Sequence, residues 1–229
     1  MEIRDSVQME KAKLEDMLVE ILYNKYPKLV LRGGTAIWRC YSGNRFSRYL
    51  DFYMEAKTPA EKMHYYREVP KFLQEYGFIV KEKGYSSSID AMHFTVELAG
   101  TKMKVDINFR YKKGIMADYI KFDGGIIAVL TVSPTELLNE KIDAYTDKLD
   151  NEAKFRHPEA HDLYDIWYLV SLIKKADPAT VKKLKTLVGR IENNPPSDMR
   201  SLEHLIIAGL APSFELTIKG IRRWINDHS

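Results

Sequence analysis

Cysteine is nearly absent. Cys40 is the only one in 229 residues, which excludes an intrachain disulfide framework and any cysteine-rich zinc site. No apolar run approaches the roughly 18 consecutive residues that a membrane-spanning helix needs, so no membrane partner is expected. Internal repeats and low-complexity tracts are also missing. The opening stretch MEIRDSVQMEKAKLEDML mixes charges of both signs and lacks the apolar core and small-residue cleavage site of a secretory signal; a cytoplasmic location is the expectation. Of six histidines, only His157 and His161 lie close together, at a His-x3-His spacing without further ligands. A net charge of only +3 permits a nucleic-acid or nucleotide partner without demanding one.

What is present is an ordinary globular composition, 45% hydrophobic and 29% charged, enough to bury a core. Leu14, Met17, Leu18, Ile21 and Leu22 recur at helical spacing and predict a helix over about residues 9–25, ending near Pro27. Lys28 to Leu31 reads as a short strand that stops at Gly33-Gly34, and Thr35 to Tyr41 reads as a helix opening directly from the glycines. From Tyr49 to Met54 the residues alternate, with Leu50, Phe52 and Met54 on one side and Tyr49, Asp51 and Tyr53 on the other. After a helix over about 60–76, strands are expected at Phe78-Ile79-Val80, His93–Leu98 and Lys102–Phe109, the last two paired antiparallel through Gly100. Ile126–Val132 adds a strand. Ser133-Pro134-Thr135-Glu136 then starts a helix, and further helices follow over about 160–174, 178–191, 200–209 and 213–226. The expected architecture is α+β: a mixed-sheet domain over 1–132 and a helical domain over 133–229.

Three groups of residues could carry chemistry. Gly33 and Gly34 enter a helix without a Cβ between them and any ligand, so backbone N–H groups there can approach a phosphate closely. The pair nevertheless matches neither the dinucleotide fingerprint nor the Walker pattern, and a plain strand-ending turn is the simpler reading in isolation. Asp51 and Asp106 lie on the polar faces of their strands; if neighbours in the sheet, they would repel unless a divalent cation relieved the charge. Otherwise each decorates a solvated face. Arg32, Arg39, Arg45 and Arg48 surround these motifs where a polyanionic substrate would be expected, whereas the cationic stretch from Lys174 to Arg190 reads either as an RNA-following face or as a solvated one. Cys40 is most simply a small core residue.

Taken together, Leu31-Arg32-Gly33-Gly34-Thr35-Ala36, Arg45-Phe46-Ser47 and Leu50-Asp51-Phe52 resemble the AbiEii-type nucleotidyltransferases of toxin–antitoxin systems, within the DNA polymerase β-like superfamily. Lys104-Val105-Asp106-Ile107 looks like that family's third-carboxylate strand. Glu140-Lys141-Ile142-x-Ala144 and Asp162-Leu163-Tyr164-Asp165-Ile166 look like its helical-domain motifs, all in family order. The resemblance implies Mg²⁺-dependent transfer of a nucleoside monophosphate from a nucleoside triphosphate to an acceptor hydroxyl, with RNA such as a tRNA end as acceptor and an antitoxin protein as partner. It implies Asp51 and Asp106 as metal ligands, Gly33, Gly34, Thr35 and Lys141 as nucleotide-binding residues, and Asp51, Asp106, Lys141, Asp162 and Asp165 as the catalytic set in a cleft between the domains. By their own spacing, Lys141 reads as an exposed helix lysine, and Asp162 and Asp165, one turn apart, read equally as capping or salt-bridging residues.

The sequence departs from the family at one place. Tyr49 stands where the family has an aspartate two residues before the one matching Asp51, and a phenol, neutral near pH 7, is not a routine Mg²⁺ ligand. The alternative it raises is a catalytically weakened relative that binds nucleotide, RNA or an antitoxin partner. Lys148 also stands where the family usually shows arginine.

Overall fold

The computed structural model describes residues 5–87, 90–151 and 159–228. It divides into two compact units, Met1–Val132 and Ser133–Ser229. Among the described residues, no helix is long and apolar enough to cross a membrane.

In the N-terminal unit, α1 (Ser6–Lys25) starts where the Asp5 side chain accepts from the Val7 N–H, and its Leu14, Leu18 and Leu22 are buried. Strand β1 (Val30–Arg32) runs straight into α2 (Gly33–Cys40), followed by β2 (Tyr49–Tyr53) and α3 (Pro59–Glu75), which opens with a capping box between Thr58 and Glu61. Strands β3 (Ile79–Ser86), β4 (Ala91–Leu98), β5 (Thr101–Asn108), β6 (Ile115–Ile120) and β7 (Ile126–Thr131) complete one seven-stranded sheet in the order β3-β4-β5-β2-β1-β7-β6. The pairs β2–β5 and β1–β7 are parallel and the others antiparallel, so the sheet is mixed. Met103, Val105 and Ile107 of β5 alternate as buried residues, and in β2 Leu50 and Phe52 are buried on one face and Tyr53 on the other, with helix α1 packed on β5 and α2 on β1 and β2.

Strand β6 has no counterpart in the sequence reading. It forms a sheet edge, with Ile115, Met116 and Ile120 exposed and Tyr119 alone buried, so it carries no apolar alternation to betray it. In the C-terminal unit, α4 (Pro134–Asp150), α5 (Ala160–Leu172), α6 (Pro178–Asn193) and α7 (Phe214–Asp227) pack around Leu138, Ile142, Leu163, Ile166, Leu184 and Ile221. The helix expected over 200–209 is instead a 3₁₀ turn, Met199–His204. Only Leu202 within it is buried, too little to support a helical stripe, and the preceding Asp198 spends its carboxylate on the Ala160 N–H that opens α5.

A buried charge network ties α1 to α2 and β6. Glu15 and Asp16 turn inward and share one guanidinium: Arg39 Nε donates to Glu15 Oε1 at 3.0 Å, and its Nη2 lies 3.0 Å from Asp16 Oδ1. The Tyr119 hydroxyl lies 2.9 Å from Asp16 Oδ1, and the Phe122 N–H donates to Asp16 Oδ2 at 2.6 Å. On its other oxygen, Glu15 meets Thr35 Oγ1 at 3.0 Å, which itself lies 2.8 Å from the Tyr49 carbonyl. Burial pushes the Glu15 carboxyl from its ordinary 4.5 up to about 7, against the pull of Arg39. Hydrogen counting agrees: one proton on Glu15 lets Glu15 donate to Thr35 and Thr35 donate to Tyr49, which satisfies both contacts.

Because the folded state holds this proton more tightly than the unfolded chain, the contribution is complete below pH 4.5 and is lost as pH rises through about 7, by up to roughly 3 kcal/mol. Glu15→Gln should flatten the pH dependence of urea-unfolding stability across that window relative to wild type, since an amide reproduces the protonated acid and leaves Arg39 neutralised by Asp16. Parallel stability–pH curves for the two proteins would refute this.

Candidate active site

Two glycines do different jobs at the start of α2. Gly33 has φ +68°, and a Cβ there would lie 2.5 Å from Asp51 Oδ2, so the Asp51 carboxylate rests directly against the turn backbone. At Gly34 a Cβ would come within 2.7 Å of Arg45 Nη2 and 2.8 Å of Ser47 Oγ. Arg45 and Ser47 are buried, and Phe46 sets its ring edge-on to Trp38 of α2 with centroids 5.0 Å apart. Ser47 Oγ donates to the Tyr49 carbonyl at 3.2 Å, the same oxygen that Thr35 approaches. The Arg-Phe-Ser segment therefore clamps the entry of β2 onto the first turn of α2.

Register does the rest. Arg32 pairs with Asp51 across β1–β2, Asp51 with Asp106 across β2–β5, and Asp106 with His93 across β4–β5. Directly paired residues share a face, so His93, Asp106, Asp51 and Arg32 form one row across four strands, with the two carboxylates side by side on strands about 4.8 Å apart. One step back along the strands, Tyr49 pairs with Lys104. Lys104 Nζ lies 3.9 Å from Asp106 Oδ2 and 5.9 Å from the Tyr49 ring centroid. Burial raises the Asp106 carboxyl above its ordinary value, while Lys104, His93 and Arg32 pull it down.

This donor set fits a divalent cation. Mg²⁺ is usually held by one or two carboxylates together with substrate phosphates, and here two hard oxygen donors stand abreast, with Asp51 against the backbone of the glycine turn. The third position is occupied by Tyr49, whose side chain is exposed. Glu55 offers no replacement: it lies beyond the end of β2 and pairs with Lys57 at 3.3 Å.

In the C-terminal unit, α4 and α5 bring Lys141, Asp162 and Asp165 together. Lys141 Nζ lies 2.9 Å from Asp162 Oδ1 and 2.7 Å from Asp165 Oδ2, and Lys148 Nζ lies 2.6 Å from Asp162 Oδ2. Both aspartates are buried. Burial pushes Asp162 up, but Lys141, His161 and Lys148 together outweigh it and hold the carboxyl well below the usual range. Glu159, His161 and Asp162 also place ligand atoms within 4.8 Å of one another, yet Lys148 pairs with both carboxylates and Lys141 adds a second cation at Asp162, which opposes a metal cation there. His157, the other half of the sequence pair, falls outside the described residues.

Several sequence expectations change. Arg39 and Arg45 are buried, the first consumed by Glu15 and Asp16 and the second packed against Gly34, so neither is available to a polyanion. On the cationic stretch of α6, Lys183 pairs with Asp143 and Arg190 with Asp150. Cys40, read from the sequence as a small core residue, has its thiol pushed up to about 12 by burial, in keeping with that reading. Conversely, His93 and Glu15, which the sequence did not single out, lie in the Asp51–Asp106 row and in the network behind α2 respectively, and Lys104, quoted only as part of the Asp106 motif, stands one step from that row.

Comparison with known proteins follows the same outline. No curated protein matches the sequence. Solved structures of similar fold include JHP933 from Helicobacter pylori (TM-score 0.63, 17% identity, 95% of this chain and 91% of that one) and a putative nucleotidyltransferase from H. pylori (TM-score 0.64, 17% identity, 95% and 94%). MenT4, the nucleotidyltransferase toxin Rv2826c of Mycobacterium tuberculosis H37Rv, is also similar (TM-score 0.60, 17% identity, 97% and 84%). At these identities they speak for the fold alone. The profile of the nucleotidyl transferase AbiEii toxin, of type IV toxin–antitoxin systems, matches residues 17–212. Since that span takes in the glycine turn, both carboxylate strands and the ion-paired lysine of α4, the chain belongs to the AbiEii nucleotidyl transferase toxin family.

Proposed function

We propose that the protein transfers a nucleoside monophosphate from a nucleoside triphosphate to an acceptor hydroxyl on RNA, such as a tRNA end, as the toxin of a pair whose second member is an antitoxin protein. The observation that supports this most is the in-register pairing of Asp51 and Asp106 beside the backbone of Gly33. In this reading Asp51 and Asp106 hold Mg²⁺, which when bound supplies charge neutralisation at the reacting phosphate. Backbone N–H groups at Gly33, Gly34 and Thr35 receive the triphosphate, favoured by the N-terminus of α2. Asp106 accepts the proton of the acceptor hydroxyl as its oxygen bonds to the α-phosphorus and the bond to pyrophosphate breaks. Within the C-terminal unit, Lys141 is the proposed phosphate-contacting cation and catalytic partner, with Asp162 and Asp165 fixing its ammonium.

A second reading has its own observation. Tyr49 occupies a carboxylate position and its strand neighbour is the cation Lys104, an arrangement suited to a weakened enzyme that binds nucleotide, RNA or antitoxin with little turnover.

Asp51→Asn and Asp106→Asn should each lower Mg²⁺-dependent transfer by about 100-fold or more, because the amide keeps the shape but loses the charge that holds the cation. Both variants should remain folded, and Asp106→Asn should not lower the unfolding midpoint, since burial already disfavours the charged carboxyl there. Retained activity, or outright unfolding, would count against the assignment. Tyr49→Asp separates the two readings: with labelled triphosphates and an RNA pool, the added ligand should raise transfer by at least about tenfold if the missing carboxylate limits the protein. Equal, robust transfer by both forms would show that two carboxylates suffice, and inactivity of both would favour binding without turnover.

A further inference from the structure

A second concavity opens on the same sheet face as the carboxylates. This pocket, of about 320 Å³, has Val30, Tyr53 and Leu130 among its lining, and the β5–β6 connection forms part of its wall. A Cβ on Gly114 would meet Leu130 and Val30 at 3.0–3.1 Å, so that loop lies tight against them. Lys28, Arg110, Lys112 and Lys113 surround the pocket against a single acid, Glu55, which is already paired with Lys57. Lys28 and Lys113 have no ion-pair or hydrogen-bond partner among the described side chains, and Arg110 acts only through space on Asp90, which Lys62 already holds. Lys112 Nζ stands 5.9 Å from the Tyr53 ring centroid, and Tyr111 is 69% exposed at the same loop.

The position of this pocket is fixed by register. Val30 pairs with Tyr53 and Arg32 with Asp51, so the chain passes from the pocket, past the Asp51 row, and only then reaches Gly33. Tyr53 lies two residues beyond Asp51 on the same face, about 7 Å along the strand. The carboxylates thus stand between the glycine turn on one side and the cationic pocket on the other. A triphosphate seated at the turn leaves the pocket free, and a phosphate in the pocket belongs to whatever approaches the carboxylates from the opposite side.

We infer that this pocket is a subsite for the acceptor strand, its cations taking a backbone phosphate and Tyr111 stacking on a base, so that the acceptor is bound as single-stranded RNA. The inference rests on the nucleotidyl-transfer reading and specifies its acceptor. Unpaired cations beside an exposed aromatic ring form the combination that single-stranded nucleic acid uses; an acidic peptide would use the cations but has no need of the ring.

The test combines Lys28→Gln, Arg110→Gln and Lys113→Gln in the full chain, and reads binding of a labelled oligoadenylate by fluorescence anisotropy over a salt series. MgATP binding is measured alongside by calorimetry. Strand affinity should fall by at least about tenfold, and the slope of log K against log salt should shrink by about 0.7 for each phosphate that the substituted pocket no longer neutralises, with MgATP affinity unchanged. Tyr111→Ala should weaken the strand about fivefold without altering that slope. Equal loss of strand and MgATP would assign the pocket to the triphosphate, and no loss of either would remove it as a site. Polyglutamate competing as well as unlabelled oligoadenylate would make it a peptide site. Each of these three results overturns the inference. Because binding is read without turnover, failed transfer with pocket-dependent strand binding rejects the catalytic reading alone, whereas intact transfer with pocket-independent binding rejects the subsite alone.

Discussion

Two carboxylates at paired positions on adjacent parallel strands repel each other, and most of the surrounding chemistry answers that repulsion. Asp51 and Asp106 face the same way because β2 and β5 run parallel in register. The row extends to Arg32 on one side and His93 on the other, with Lys104 one step back. These cations temper the negative charge without abolishing it, since none makes a close bidentate contact with Asp106 and burial still raises its carboxyl. Under the proposed function, the charge that remains on Asp106 would suit a cation accompanied by phosphate.

Holding the row in place falls to groups that never reach it. Glu15 contacts Thr35, Thr35 contacts the Tyr49 carbonyl, and Tyr49 stands two residues before Asp51. Ser47 reaches the same carbonyl, and Arg45 fills the space that glycine leaves at position 34. The α1–α2 charge network and the candidate catalytic turn are therefore linked by hydrogen bonds that run from Glu15 through Thr35 to the first residue of β2. In the C-terminal unit, Lys141 is likewise fixed by two buried aspartates, which sets its ammonium in one position at the expense of mobility.

Local patterns carried much of this into the sequence. Period-two alternation put Asp51 and Asp106 on polar faces, the Gly33-Gly34 pair marked the strand-to-helix turn, and Ser133-Pro134 marked the start of α4. Hairpin counting could have gone further. With Ala99-Gly100 as the turn, Leu98 faces Thr101 and His93 faces Asp106, which would have placed that histidine in the site. The adjacency of β2 and β5 was beyond such counting, because α3 and two strands intervene and parallel register leaves no turn to count from. Glu15 and Arg39 were illegible for a similar reason: the two lie 24 residues apart, and a buried carboxylate on a charged helix looks like any solvated one until the tertiary structure turns it inward.

The central claim is that Asp51 and Asp106 jointly bind a divalent cation with the triphosphate. Crystals grown with Mn²⁺ and a non-hydrolysable nucleoside triphosphate, measured at the manganese absorption edge, address it directly. An anomalous peak about 2.1 Å from oxygens of both aspartates, with the phosphates against Gly33 and Gly34, is the expected result. Manganese bound instead among Glu159, His161 and Asp162, or a nucleotide seated away from the Asp51–Asp106 row, would contradict it.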